Sequence, residues 1–104
     1  MKYPKHYSQM RKRYRRFFSA LERLGSTARA SGPLDEKTSH LLQLAAAAAI
    51  RSEGAVHSHA RRALQAGASA QELEHALLLI TSTVGFPTMA AAMSWLQDVL
   101  KEAP

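Results

Sequence analysis

The sequence predicts an all-α protein of about five helices. No run of alternating β-branched residues occurs in the 104 residues, so no strand is expected. Glycine, proline and serine instead divide the chain into segments whose apolar residues recur every three or four positions. The length suits one structural domain overall, with residues 1–34 as a basic amphipathic leader helix and loop and residues 35–104 as the helical body.

The first helix is predicted from about His6 to Leu24, where Gly25 ends it, and residues 26–33 are expected to form a loop. Steps of three and four residues separate its apolar side chains, which form a heptad seam suited to packing on a partner helix. The seam consists of Tyr7, Met10, Tyr14, Phe17, Leu21 and Leu24.

Positive charge is concentrated in this leader. Seven of the 14 lysine and arginine residues lie in the first 16 positions, and no acid precedes Glu22. A basic leader suits nucleic acid or anionic lipid. Because no recognition motif for either accompanies it, the leader is interpreted as a solvated helix face, and neither nucleic acid nor membrane is expected as a partner.

The second and third helices have recognisable ends. Asp35 follows Pro33 as a plausible N-cap of the second helix, which is apolar on every side over residues 41–50 and is therefore expected to be central. Gly54 is expected to break it. The third helix is predicted over about Ala55 to Ala66, with Gly67 as its C-terminal stop.

The fourth helix opens with the capping box Ser69-Ala-Gln-Glu72. Gly85 and Pro87 separate it from the fifth, because proline suits a first helical turn. The fourth carries Leu73, Ala76, Leu77 and Ile80, and the fifth carries a stripe of Met89, Met93, Leu96 and Leu100. Such stripes are typical of a core or an oligomer contact rather than a cofactor site.

Several function classes are disfavoured by composition. The chain contains no cysteine, so it is expected to carry out no thiol chemistry by itself and to form no disulfide, which favours a cytoplasmic location. The chain contains no window of about 18 apolar residues, so no membrane span is predicted. The basic, aromatic N-terminus does not have the pattern of a signal peptide. No cofactor is expected.

Three motifs in order make the chain resemble the carboxymuconolactone decarboxylase and alkylhydroperoxidase D-like superfamily. Residues 51–59, Arg-Ser-Glu-Gly-Ala-Val-His-Ser-His, are similar to its Cys-x-x-Cys-x-x-x-His segment. Residues 59–67 followed by Ser69-Ala-Gln-Glu-Leu73 are similar to its His-x-x-x-Ala-Leu-x-x-Gly-x-(Ser/Thr)-x-x-Glu-(Ile/Leu) run. Gly85-Phe-Pro87, with alanines at 90–92, is similar to its Gly-x-Pro turn before an alanine-rich helix.

The resemblance implies a helical fold that assembles into homo-trimers or homo-hexamers. It also implies two chemistries: peroxide reduction by a cysteine pair with a glutamate and a histidine, or decarboxylation of a cyclic lactone carboxylate without cysteines. In the residue-by-residue comparison, Ser52 and Ala55 occupy the cysteine positions, His59 occupies the histidine position and His40 occupies the position of the peroxidase glutamate. A serine hydroxyl forms no reducible disulfide, so peroxidase chemistry is disfavoured.

The candidate catalytic residues are therefore His59, His40 and Ser52. If the second and third helices pair, both imidazoles face one site and can exchange protons near neutral pH; the alternative is that both are structural histidines. Ser52 either borders an anion site at the start of the third helix, where the N–H groups of Ala55 and Val56 are expected to be free, or simply caps that helix.

No metal site is predicted. His57 and His59 point about 200° apart on a helix and cannot chelate one ion, and His40 with His59 lacks a clear third ligand. His57 is expected at the surface or at a subunit contact.

Arg51, Arg61 and Arg62 are candidate cations for a small anionic molecule. Two hypotheses stay open: a decarboxylase-like enzyme using His59, and a non-catalytic oligomeric binding or scaffold protein.

Overall fold

The computed structural model describes residues 5–102, and every regular element in that range is an α-helix, as predicted. The chain divides into two compact units, Met1–Pro33 and Leu34–Pro104. The first unit contains α1 (Lys5–Arg13) and α2 (Arg15–Ala30). The second contains α3 (Glu36–Ala49), α4 (Glu53–Gln65), α5 (Ala70–Leu79), α6 (Thr81–Val84) and α7 (Phe86–Glu102). Within residues 5–102, no helix is both long enough and apolar enough to cross a bilayer.

The predicted first helix is interrupted at Tyr14, whose backbone angles of −119° and 56° are not helical. The Tyr7 and Phe18 rings consequently lie edge to face with centroids 5.7 Å apart. In a continuous helix these residues would be separated by about 16 Å along the axis. The break therefore turns α1 back towards α2, and Arg11 forms an ion pair with Glu22 across the turn.

The prediction that Gly25 ends this helix is wrong, and with it the predicted loop from residue 26. α2 continues to Ala30, because an interior glycine weakens a helix by only about 1 kcal/mol relative to alanine and does not stop it. The helix ends just before Gly32-Pro33, where proline restricts the preceding residue to extended conformations. The Ser31 hydroxyl donates to the Thr27 carbonyl at this end.

The core of the second unit lies among α3, α4, α5 and α7, and α3 packs against the other three. Alanines at the α3–α4 contact, with Ala47 and Ala48 on α3 and Ala60 and Ala63 on α4 all buried, allow the two backbones to approach closely. The largest completely buried side chains of this core are Leu44, Leu73, Leu77, Leu96, Val56 and Val99. The methionine stripe of α7 faces this core through Met89.

The break between α3 and α4 lies before the predicted position. α3 ends at Ala49, and Arg51 adopts a left-handed conformation with φ of 58° that reverses the chain. Gly54 was predicted to break the helix, but it lies inside the first turn of α4. The reason is the Ser52 side chain, which caps α4 so that the helix starts at Glu53, two residues before the predicted start at Ala55.

Three predicted helix signals are present in the structure. The Asp35 carboxylate accepts the Thr38 N–H at 2.8 Å. The Ser69 hydroxyl accepts the Glu72 N–H, and the Glu72 carboxylate accepts the Ser69 N–H, which completes the capping box. Gly67 ends α4 with φ of 98°. Gly85, with φ of 92°, separates α6 from α7, and α6 itself was not predicted.

Candidate functional site

His40 is a buried polar residue on the face of α3 that packs against α4. Only 4% of its surface is exposed. Leu44, one turn later on the same helix, is fully buried in the core, so the sequence pattern that fixes α3 on its neighbours also fixes the position of the imidazole. Burying an imidazole is costly unless polar groups accompany it, which makes this position unusual for a purely structural residue.

His59, half-buried on α4, lies directly against His40. The ring centroids are 6.0 Å apart and the ring planes are inclined by 35°. This contact results from the pairing of α3 and α4 through small alanine side chains, which leaves room for two rings between the helices. The structure thus brings together two of the three residues predicted as catalytic.

Glu36 adds a carboxylate to this pair. Its Oε2 lies 3.3 Å from Nε2 of His40, which is four residues later and therefore one helical turn away. The Glu36 side chain is 66% exposed, so the carboxylate reaches the imidazole from the solvent side. The arrangement is a carboxylate, a buried imidazole and a second imidazole in sequence, and a carboxylate next to an imidazole fixes its tautomer and orientation.

Ser52, the third predicted residue, is the N-cap of α4. Its Oγ accepts the Ala55 N–H at 3.4 Å, and its carbonyl accepts the Val56 N–H at 2.9 Å. The expectation that these two N–H groups are free to hold an anion is therefore wrong, because the Ser52 hydroxyl accepts one and the Ser52 carbonyl accepts the other. The Ser52 hydroxyl still has a hydrogen to donate.

The three candidate arginines differ in their environments. Arg51 donates to the Thr88 hydroxyl at 2.8 Å, and Arg61 forms two hydrogen bonds of 3.1 and 2.9 Å with the Glu102 carboxylate. The hydrogen bond from Arg61 lowers the pKa of Glu102 below its ordinary value of 4.5. Arg62 is half-buried one turn after His59 and forms no ion pair with any residue in the described range 5–102. It is the candidate arginine nearest to His59 along α4 without a carboxylate partner in that range.

An apolar groove of about 360 Å³ lies elsewhere, between α3 and α5. None of the three predicted catalytic residues borders it. Its walls are mostly aliphatic and its polar groups lie at Thr38, Glu72 and His75; the remaining lining residues are Leu41, Leu42, Ala45, Ala76, Leu79 and Ile80. The groove is an apolar surface without convergent polar groups, which distinguishes it from the histidine pair.

A second polar cluster lies where α4 contacts α7. His57 Nε2 is 3.3 Å from the Asp98 carboxylate and 3.9 Å from the Glu53 carboxylate. The three ligand atoms lie within 4.8 Å of one another, so these residues are able to hold a metal ion. His57 is largely covered, with 22% of its side chain exposed, and it lies on the opposite side of α4 from His59.

Sequence reasoning missed Glu36 and Asp98 for different reasons. Glu36 and His40 are separated by four residues on a helix, a spacing that signals an interacting pair. Asp98 is 41 residues from His57, and its position depends on how α7 docks on α4. No sequence signal fixes that docking register.

One protein-family model matches most of the chain. Residues 15–98 match the profile described as "Carboxymuconolactone decarboxylase family". The match begins at the start of α2 and ends at Asp98, so it includes His40, Ser52 and His59. A search among curated proteins found no significant match.

Proposed function

Because the chain belongs to the carboxymuconolactone decarboxylase family and has no cysteine, we propose that it is an acid–base enzyme acting on a small cyclic carboxylate. The observation that carries the proposal is the 6.0 Å contact between His40 and His59, with the Glu36 carboxylate on the far side of His40. Titratable groups arranged in sequence are typical of proton-transfer sites.

His59 is the proton donor or acceptor in this proposal. It is half-buried, so a ligand can reach it from one side while His40 supports it from the other. In a decarboxylation, the bond between ring carbon and carboxylate breaks, CO₂ leaves, and the electron pair moves into the conjugated lactone carbonyl. The His59 imidazolium then delivers a proton to carbon, which returns the imidazole to its neutral form.

His40 and Glu36 are positioning residues. The carboxylate of Glu36 holds the His40 ring in one orientation, and the His40 ring in turn packs on His59. A fixed ring costs less to align in the transition state, because the ordering is completed on folding. His40 thus stands at the position where the peroxidases that the chain resembles have a glutamate. The carboxylate beside it is that of Glu36, one helical turn earlier.

The substrate carboxylate is assigned to Arg62. Arg62 lies three residues after His59 on α4, a spacing that brings two side chains onto neighbouring positions of a helix surface, and arginine binds carboxylates with two parallel hydrogen bonds. Ser52 acts in this proposal as the cap that starts α4. Its hydroxyl hydrogen is a further donor for a ligand oxygen.

CO₂ release from a five-membered lactone carboxylate tests the proposal. His59→Gln removes the titratable ring while keeping a side chain of similar size, and it is expected to lower kcat by about 10²–10⁴-fold, the usual contribution of a general acid. Arg62→Gln is expected chiefly to raise KM. Glu36→Gln is expected to lower kcat less than His59→Gln does, since Glu36 acts through His40.

His75→Gln is the matched control, because His75 is exposed on α5 and away from the pair. It should leave kcat and KM unchanged. Circular dichroism and melting of each variant separate loss of chemistry from loss of fold. Full activity of a folded His59→Gln variant would contradict the proposed role of His59.

A second function is favoured by the apolar seam of the first unit. Most of its side chains are exposed in the single chain: Met10 at 44%, Tyr14 at 52%, Phe17 at 64%, Leu21 at 50% and Leu24 at 66%. The break at Tyr14 divides these side chains between α1 and α2, so they do not form the continuous heptad seam that the sequence predicts. Exposed apolar side chains of this kind still suit a contact with another copy of the chain. In this alternative the protein is a non-catalytic homo-trimer or homo-hexamer that serves as a binding or scaffold module.

The two functions give different results in the same assays. The enzyme proposal requires turnover, or at least a rise in melting temperature with a small cyclic carboxylate, and loss of either in His59→Gln. The scaffold alternative requires assembly without any response to carboxylates. A protein that assembles and also turns over the lactone would satisfy the enzyme proposal. The assembly would then hold the enzyme together rather than be its function.

A further inference from the structure

We propose that Glu53, His57 and Asp98 form a binding site for a divalent first-row transition-metal ion on the surface of the second unit. The three ligand atoms, one nitrogen and two oxygens, lie within 4.8 Å of one another and come from two different helices. This cluster plays no part in the proposed proton chemistry at His59, which faces the other side of α4.

The geometry is close to that of a coordination sphere. Metal–ligand distances of about 2.1 Å place neighbouring ligand atoms roughly 3.0–3.5 Å apart. The His57 nitrogen is 3.3 Å from the Asp98 oxygen and 3.9 Å from the Glu53 oxygen. Both carboxylates are exposed, so rotation of their side chains is able to change these distances.

The two helices hold this register through a neighbouring contact. α4 and α7 run in the same direction, because His57 meets Asp98 and Arg61, four residues later, meets Glu102, also four residues later. The two Arg61–Glu102 hydrogen bonds neutralise the nearest arginine and its acid together. The cluster beside them keeps two carboxylates around one imidazole, a charge that a divalent cation neutralises.

The ligand set indicates the class of metal. A single imidazole nitrogen disfavours Mg²⁺ and Ca²⁺, which prefer oxygen alone, and the absence of a thiolate disfavours Cu⁺. One nitrogen with two carboxylate oxygens suits Zn²⁺, Mn²⁺, Fe²⁺ or Co²⁺. Both carboxylates are more than half exposed, at 57% for Glu53 and 55% for Asp98, so the remaining coordination positions face water.

The experiment is titration of the untagged full chain with Zn²⁺, followed by calorimetry, with Mg²⁺ as the comparison cation. We expect one Zn²⁺ per chain, a higher melting temperature, and at least tenfold weaker binding in both His57→Gln and Asp98→Asn. His59→Gln and His75→Gln are the matched controls, since each removes an imidazole outside the cluster, and they should bind Zn²⁺ as the parent does.

Mn²⁺ allows a second measurement that uses the parent protein and therefore does not require any variant to fold. As a paramagnetic ion at this site it should broaden the ring proton signals of His57 at substoichiometric concentration while those of His75 stay sharp. Equal broadening of both histidines, unchanged binding in His57→Gln, or equal loss in the His59→Gln control would each show an adventitious ion only and overturn the proposal.

Discussion

Leu77 and Leu78 provide a direct test of which face of α5 holds the second unit together. They are adjacent leucines on one helix, yet Leu77 is fully buried and Leu78 is 53% exposed. Leu77→Ala removes three carbon atoms, worth roughly 2.4 kcal/mol of transfer free energy, and leaves a cavity that brings the loss to roughly 3–4 kcal/mol. Leu78→Ala removes the same atoms from a half-solvated site and should cost about 1 kcal/mol.

These losses are large relative to the whole. A protein of this length unfolds with a free energy of about 5–15 kcal/mol, so Leu77→Ala should remove a substantial fraction of it. The melting temperature should fall by roughly 12–32 °C for Leu77→Ala and by about 5 °C for Leu78→Ala. Urea unfolding followed by circular dichroism gives both free energies, provided that the slope with urea is unchanged. Equal losses in the two variants would refute the assignment of the buried face.

Three further predictions concern the redox site, the capping box and assembly. The purified protein should show no peroxide turnover with dithiol reductants, and the double variant Ser52→Cys with Ala55→Cys should gain weak turnover; robust turnover by the parent would contradict the chemical argument. The hydrogen bond from the Ser69 N–H, and after it the one from Lys37, lowers the pKa of Glu72, so the ionised carboxylate stabilises the folded protein fully above the ordinary pKa of 4.5 and this contribution is lost as the pH falls below that value. Glu72→Gln should therefore make the fall in the free energy of unfolding between about pH 5 and pH 3 less steep. An unchanged pH profile in this variant would contradict the assigned role of the Glu72 carboxylate. Phe17→Asp, in the exposed seam, should lower the mass seen by light scattering without reducing helicity, whereas a parent that is monomeric at micromolar concentration would remove the case for assembly through the seam.

Local signals were sufficient where the interaction itself is local. Asp35, Ser69 with Glu72, and Gly67 were recognised as helix ends because caps involve residues within one turn of each other. The buried stripe of α5 was recognised because helical periodicity alone decides which residues share a face. The all-helical class and the family followed from the same kinds of pattern.

The errors occurred where glycine was given more weight than its neighbours. Gly25 and Gly54 were both predicted to end helices, and both lie inside them. A glycine ends a helix when the chain needs a left-handed residue there, as at Gly67, and is tolerated otherwise. The left-handed residue between α3 and α4 is Arg51, a position that intrinsic preference does not indicate.

The candidate sites show where sequence reasoning needs tertiary structure. That His40 and His59 would meet depended on pairing the correct helices, which the family resemblance supplied. That His57 would meet Asp98 depended on the axial register of α7 against α4, to within a single turn of about 5.4 Å. No local pattern carries that information, so the sequence alone predicts no metal site that includes Asp98.

α4 separates two histidines that the sequence places two residues apart. His59 faces α3 and lies against His40, whereas His57 faces α7 and lies beside Asp98. The 200° between them, which excludes a shared metal, is also what allows one short helix to contribute to two different sites. Proton chemistry at one face and cation binding at the other are thus expected to be separable by substitution, because the two histidines point to different sides of α4. A metal bound at His57 would stabilise the packing of α4 on α7 and support the histidine pair only through the position of α4 itself.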